Sequence, residues 1–355
     1  MKIGIITFHW ATNHGAIIQA YALQKYLQDS HPNDDVQIID YYPERYKKGL
    51  KSIFRSIHPA AIRKNYKEYQ KDRLLQEFRN KLKKTEHYST TEELNNHASD
   101  FDVVICGSDQ VWNEFFTFHG EGRITTAYFL SFCPNSKKIA YAASFGFQHM
   151  KEEMQALVRP LLKEFFAVSV RETSGVKILE DMNIPCERVC DPTFLLNKTL
   201  YQKISQWNGK EKIIAKYILR KQSDAAELTI KTLISEVESD EVVDLEMLSI
   251  ENWLGAISRA NCCITNSFHC SVFSILFHTP FYVIQEENHR SGMNDRLTTL
   301  LGELGLTERI IQPGNPIPEM GKAINWKQVE KNLEVLTARS KKFLLNNCFG
   351  GPGDD

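Results

Sequence analysis

No apolar run in this chain reaches the roughly 20 residues that a bilayer-spanning helix needs. Its eight cysteines include no CxxC pair, and the nearest approach to metal-ligand spacing, Cys186 with Cys190, has no second Cys or His pair beside it. No metal is therefore expected, and the thiols read as reduced core residues. Neither GxGxxG nor GxxxxGK[ST] occurs, so the fingerprints of dinucleotide and ATP sites are both missing. The formal net charge of −1 lacks the basic excess of a nucleic-acid binder. The opening KIGIITF reads as a buried strand, not as a basic segment leading a long apolar stretch. The expectation is a cytoplasmic protein that takes no nucleic acid.

What the chain does have is the make-up of a globular protein, with 42% hydrophobic and 25% charged residues over 355 positions, a length that suits two domains. Strands and helices alternate almost throughout, the pattern of parallel sheets covered on both faces. Strands are expected at 2–8, 36–41, 101–106, 138–143, 166–170 and 187–190, with helices at about 16–28 and 172–182. Runs such as Val103-Val104-Ile105-Cys106 suit strands buried on both faces. After Asp191-Pro192-Thr193 the rhythm restarts, with strands at 212–219, 242–246, 262–265 and 281–284 and helices at 224–237, 250–260, 267–278 and near 294–304. A connector at 313–318 leads to a last helix, 326–345. The pattern predicts an α/β protein of two Rossmann-like domains facing across a cleft (GT-B-like), with a C-terminal helix reaching back to the first domain. The expected bounds are 1–196, with a basic helical insert at about 43–100, then 197–322, then the helix at 323–347.

The balanced total hides an asymmetry. Between Pro43 and Lys84 stand fourteen Lys and Arg against four acids, a local excess of ten positive charges. Tyr66, Tyr69, Leu74, Leu75, Phe78 and Leu82 recur there at helical spacing, so 60–84 reads as a basic amphipathic helix. Its plain role is a solvated helix with its apolar side on the domain. Its sharper one is peripheral contact with an anionic membrane or phosphate-bearing acceptor.

Ligands of open α/β sheets gather beyond the carboxyl ends of the strands, and five segments there carry polar chemistry. The first, His9 to Ala16, leads into a helix. Gly15 can take a positive φ and admit a ligand to the backbone, Asn13 either contacts substrate or caps the helix, and Gln19 follows one turn on. The second holds Ser108 and Asp109, with Asp109 a candidate general base or a turn cap. The third is Ala142-Ala143-Ser144-Phe145-Gly146, small residues that permit close approach. The fourth contains Arg171, whose fork suits a carboxylate or phosphate, though ion pairing with Glu172 or Asp191 is the ordinary alternative. The fifth runs Asn266-Ser267-Phe268-His269 at a strand-to-helix junction, where first-turn amides plus a histidine suit a phosphate.

Six segments in this order, KIGIITFHWATNHGAIIQAYALQ, FDVVICGSDQVWN, KIAYAASFG, VSVRE, CDPTFLL and TNSFHCSVFSILFHTPFYVI, resemble the polysaccharide pyruvyltransferase family from Met1 to about Leu306. The basic insert matches none of its motifs. The resemblance implies an enzyme that takes phosphoenolpyruvate as co-substrate, with no other cofactor. It places the three-carbon unit on two hydroxyls of one sugar as a cyclic ketal. The acceptor implied is a lipid-linked oligosaccharide of a capsule or exopolysaccharide, with O4 and O6 of galactose as the family-level example. The resemblance also implies that His269 lies near the donor phosphate and that Arg171 contacts the same donor. Several members have Ser-Arg-Leu-His where this chain has Asn266-Ser267-Phe268-His269. The arginine two before the histidine is thus Ser267, and Arg290 and Arg296 are the candidates to replace its charge. On this scheme His269 is acid or phosphate ligand, Asp109 the base and Arg171 the anion clamp.

Two other functions fit the same pattern. One is a GT-B glycosyltransferase using a nucleotide sugar, for which Glu246 or Glu251 could hold the ribose, since fold alone does not fix function. The other is a non-catalytic glycan- or metabolite-binding protein, which the missing arginine at Ser267 would suit.

Overall fold

The computed structural model describes residues 1–47, 49–54, 57–97, 100–118, 125–287, 294–317 and 322–350. They fold as two compact units, one of residues 1–195 with 336–355 and one of residues 196–335. The first unit is built on a seven-stranded sheet of β1 (Lys2–Ile6), β2 (Asp35–Tyr41), β3 (Lys84–Tyr88), β4 (Val103–Cys106), β5 (Lys137–Ala143), β6 (Ala167–Val170) and β7 (Glu187–Arg188). The spatial order is β3-β2-β1-β4-β5-β6-β7, with every pairing parallel. The order reverses between β1 and β4, the Rossmann switch point.

β4 is buried along its whole length, which is why its sequence shows no polar alternation. β3 lies inside the basic insert, where the sequence pattern gave helix alone. Its residues KTEHY are polar because it is an edge strand. It is held to β2 partly by side chains: Thr85 Oγ1 accepts from the Asp40 amide at 3.0 Å, and Lys84 Nζ reaches Asp40 Oδ2 at 3.0 Å. The preceding helix, Pro59–Arg79, ends before the expected position 84. It buries Leu75 and Phe78, with Phe78 edge-on to Tyr21. Tyr66 and Leu74, placed on its apolar side by spacing, are exposed, and Lys71, Asp72 and Arg79 are buried in their stead.

The second unit carries a five-stranded parallel sheet of β8 (Ile213–Tyr217), β9 (Glu241–Asp244), β10 (Ala260–Thr265), β11 (Phe281–Ile284) and β12 (Ile310–Ile311), in the order β12-β11-β10-β8-β9. Two-residue β12 is too short to leave a periodic signal. The reversal falls between β8 and β10, the flavodoxin-type switch point. The last helix, Trp326–Phe349, is divided: it belongs to the second unit up to Val335 and to the first from Leu336. At its start Trp326 stacks on His278, and further along Ser340 Oγ accepts from the Cys190 amide at 2.8 Å.

Helix Ile250–Arg259 packs so closely on the chain at Gln206 that a Cβ on Gly255 would stand 2.1 Å from the Gln206 carbonyl oxygen. In an unencumbered helix Gly→Ala gains about 1 kcal/mol. Here the sign should reverse, with Gly255→Ala losing about 1–3 kcal/mol to overpacking. Urea unfolding checks it, and a midpoint at or above that of the parent would contradict the contact.

Candidate functional site

Each unit offers a polar constellation at its switch point. In the first unit the loops after β1 and β4 are stitched together by Gln19. Its Nε2 donates to Thr7 Oγ1 at 2.8 Å and to the Ala16 carbonyl at 2.9 Å, while its Oε1 accepts from the Ser108 amide at 3.2 Å. Thr7 Oγ1 in turn donates to the Ser108 carbonyl at 2.9 Å. Gln19 thus spends its amide group on the scaffold. Asn13 caps helix His14–Ser30, its Oδ1 accepting from the Ala16 amide. Gly15 lies buried within the first turn of that helix and is not among the residues of positive φ, so the flexible approach expected of it is replaced by ordinary helix.

Beyond β4 the chain turns sharply. Gly107 has φ +121°, and a Cβ there would stand 2.2 Å from the Tyr141 carbonyl oxygen. Asp109 follows at φ 76°, a left-handed conformation that costs a non-glycine residue energy and persists only where its surroundings enforce it. The enforcement is visible. The Asp109 carbonyl accepts from the Ser144 and Val111 amides, and its carboxylate takes a hydrogen bond from Arg171 Nη2 at 3.1 Å. Arg171 Nη1 also donates to Asp191 Oδ2 at 2.6 Å and to Ser108 Oγ at 3.1 Å, and Glu172 stands 3.9 Å from Nε. Burial alone would favour a neutral guanidine, but the carboxylates of Asp191, Asp109 and Glu172 hold it charged. The Arg171 side chain is 1% exposed and that of Asp109 is 15% exposed. The open member of the cluster is therefore the carboxylate. The ion pairing that the sequence left as an alternative for Arg171 is present. Ser144 is fully buried, and its hydroxyl has no hydrogen-bond partner among the described residues.

His9, also in the loop after β1, is buried against Asp40 at the end of β2, with Nε2 2.8 Å from Oδ1. Burial pushes the Asp40 carboxyl up, but His9 and Lys84 outweigh it and hold the group at about 2. Burial lowers the His9 value despite Asp40.

In the second unit, Asn266, Ser267, Phe268 and His269 follow β10 at the start of helix Phe268–Phe277. Ser267 Oγ caps that helix by accepting from the Cys270 amide. Asn266 reaches the neighbouring loop after β8, accepting from the Leu219 amide at 2.7 Å and donating to the Leu219 carbonyl at 2.9 Å. Its Nδ2 also donates to Glu286 Oε1 at 3.0 Å, which Arg220 Nη1 approaches to 3.2 Å. Arg220 has φ 69° and an exposed side chain. Arg296 lies over the Phe268 ring at 5.7 Å, and Phe268 stands edge-on to His269. His269 is 6% exposed, more enclosed than its polar turn suggests. The structure thus brings together Asn266, Ser267, Phe268, His269 and Arg296. It adds Arg220 and Glu286, which sequence reasoning missed. Arg290 lies outside the described residues. Asn13, Gly15, Gln19, Ser108, Ser144, Asp109 and Arg171 belong to the first unit.

With this geometry in hand, the chain can be set beside known proteins. The family model described as polysaccharide pyruvyl transferase matches residues 13–288. No curated protein matches the chain. Among solved structures, a chain from Listeria monocytogenes assigned as a UDP-N-acetylglucosamine 2-epimerase superposes with a TM-score of 0.52 at 9% identity, covering 100% of this chain and 97% of that one. A UDP-GlcNAc 2-epimerase from Methanocaldococcus jannaschii gives 0.45 at 11% identity, covering 95% and 93%. At such identities the likeness to the Listeria chain is one of fold, two Rossmann-like units of the GT-B-like class.

Removing a cation from buried carboxylates leaves their charge uncompensated. Arg171→Ala should therefore cost about 3–5 kcal/mol of stability. Arg171→Lys should fall between it and the parent, because an ammonium lacks the fork that reaches Asp191 and Asp109 together. Thermal melts test both, and an Arg171→Ala protein melting with the parent would remove the cluster from the scaffold.

Proposed function

Since the chain belongs to the polysaccharide pyruvyl transferase family, we propose that it moves the pyruvyl unit of phosphoenolpyruvate onto two hydroxyls of one sugar in a cell-surface polysaccharide or its lipid-linked precursor. A ketal across O4 and O6 of galactose is the form we expect. The observation that carries the donor assignment is the gathering of Arg220, Arg296 and His269 where helix Phe268–Phe277 begins, at the switch point of the second unit. First-turn amides and the positive end of the helix dipole favour an anion, and two guanidinium groups supply the charge that Ser267 does not.

The chemistry follows from the vinyl phosphate. A proton delivered to C3 turns the methylene into a methyl group and leaves an oxocarbenium-like centre at C2. One sugar hydroxyl adds there and gives up its proton. The C2–O bond to phosphate then breaks, and the second hydroxyl closes the ketal as its proton leaves. One of the two hydroxyl protons replaces the one spent on C3, and the other departs with phosphate. His269 is the group we assign to deliver or relay the proton or to bind the phosphate, and Asp109 is the carboxylate we assign to accept a hydroxyl proton. Arg171, ringed by carboxylates, acts on this reading as the residue that positions Asp109. No further cofactor is needed.

We also propose peripheral contact with an anionic leaflet, where a lipid-linked acceptor is presented. No helix among the described residues is long and apolar enough to cross a membrane. Its support is the basic insert together with Leu50, Phe54 and Ile57, three exposed apolar side chains close in sequence.

Phosphate release from phosphoenolpyruvate, measured with and without a galactoside-bearing acceptor, tests the transfer. Release should depend on the acceptor. His269→Gln should slow it about 100-fold or more, and Arg220→Ala should weaken donor binding by about tenfold, the loss of one charge-assisted hydrogen bond. No release with any acceptor, alongside binding of a nucleotide sugar, would overturn the reading in favour of glycosyl transfer. For the membrane, the protein should sediment with phosphatidylglycerol vesicles at low salt and leave them at 1 M, where the Debye length is about 3 Å. Protein that stays in solution at low salt would show the insert to be structural.

A further inference from the structure

Helix Pro59–Arg79 turns charged side chains inward, and what they meet is a cavity. Its volume is about 180 Å³, below the roughly 300–1,000 Å³ of pockets for drug-sized ligands. It lies wholly in the first unit, away from Asp109 and Arg171 in its lining. One wall is aromatic: Trp10, with Tyr46 stacked on it at 4.7 Å between ring centres and Tyr42 tilted against it at 5.8 Å. The opposing chemistry is polar and planar. Asp40 is fixed by His9 at 2.8 Å and by Lys84 at 3.0 Å. Asp72 is fixed by Arg79 at 3.0 Å, and Gln76 Oε1 accepts from the same guanidinium at 2.8 Å.

Two features decide what such a cavity suits. First, both carboxylates are paired with cations, so a phosphate entering here would meet two negative groups along with the positive ones. A neutral ligand bearing many hydroxyls meets acceptors in Asp40 and Asp72 and donors in Lys84, Arg79 and Gln76. Second, Arg79 is 6% exposed and its Nε–H has no hydrogen-bond partner among the described residues. Burying a cation with a donor unfilled is costly, and a helix that served only to cover the sheet would place an apolar side chain there. Asp40, held at about 2, stays an acceptor throughout the neutral range.

We propose that this cavity is a saccharide subsite that seats one pyranose ring of the acceptor, its C–H face on the Trp10–Tyr42–Tyr46 wall and its hydroxyl rim on Asp40, Asp72, Gln76 and Arg79. The choice of a sugar rests on the polysaccharide assignment above. The subsite itself is supplied jointly by the loop after β1, the end of β2, and the basic insert. The insert thereby acquires a part in choosing the acceptor that is separate from any part in reaching a membrane.

The test separates sugar binding from pyruvyl transfer by leaving phosphoenolpyruvate out. Saturation-transfer NMR on the full chain, with the methyl glycosides of galactose, glucose, N-acetylglucosamine and glucuronic acid as probes, should show transfer to at least one of them. The preferred glycoside should bind about tenfold more weakly to Trp10→Ala, the loss of one aromatic face. Gln76→Ala, on a half-buried position of the helix, should weaken binding without disturbing the fold, with circular dichroism as the check. Leu228→Ala, at an exposed position of the second unit with no part in the proposed donor site, should leave sugar binding unchanged. Sugar binding without any phosphate release would sink the pyruvyl reading and leave the subsite standing. Absence of transfer to all four glycosides, or transfer unaltered in both Trp10→Ala and Gln76→Ala, would overturn the subsite.

Discussion

A guanidinium taken out of water must be repaid by partners that are themselves held in place. In the first unit that requirement falls on Arg171, and satisfying it organises the carboxyl ends of β4, β6 and β7. Ser108 and Asp109 come from the loop after β4 and Asp191 from the chain after β7, and all three reach the same side chain. Asp191 in turn accepts from the amide and hydroxyl of Thr193. Asp109 can stand in a left-handed conformation because the Arg171 contact and the Ser144 amide keep it there. The strained turn and the buried ion cluster are therefore one arrangement: the cluster stabilises the turn, and the turn presents a carboxylate at the surface of an otherwise closed network.

The second unit solves a similar problem with fewer ions. Asn266 bridges the loops after β8 and β10 through both faces of its amide, and Glu286 joins it to Arg220. A side-chain amide is the economical choice between two adjacent backbones, since it can donate and accept at once. Its effect is to bring a surface arginine, which would otherwise be a solvated charge, beside the helix that starts at Phe268.

Much of this was legible in the sequence, and the rest was not for definite reasons. Alternating elements and buried runs such as VVIC locate the central strands because a strand buried on both faces leaves a continuous apolar signal. The strand-end polar residues Asp109, Asn266 and His269 stand out because they follow such runs. β3 was hidden because an edge strand in a basic segment has no apolar face to betray it. Arg220 sits in Leu219-Arg220-Lys221-Gln222, where nothing local separates it from the lysine beside it. Its meaning arises from Asn266 and Glu286, distant in sequence. In the insert the expected apolar side is buried only in part: Leu75 and Phe78 are inside, Tyr66 and Leu74 are exposed, and the buried stripe also takes in Lys71, Asp72 and Arg79, which a reading that sorts residues into apolar-in and charged-out passes over.

The divided last helix bears on how the chain is made. The second unit is one unbroken stretch, whereas the first is closed by residues translated only after the whole of the second. Until they emerge, the Cys190 amide lacks Ser340 and the region of Tyr141 lacks Phe343. At the usual roughly 5–20 residues per second, the second unit takes on the order of ten seconds to synthesise. Throughout that interval the first sheet, though complete in its strands, waits on the ribosome with part of its core uncovered. The order of translation is thus the reverse of the order in which the two units can finish folding, and the earlier-made unit is the one whose apolar surface stays exposed longer.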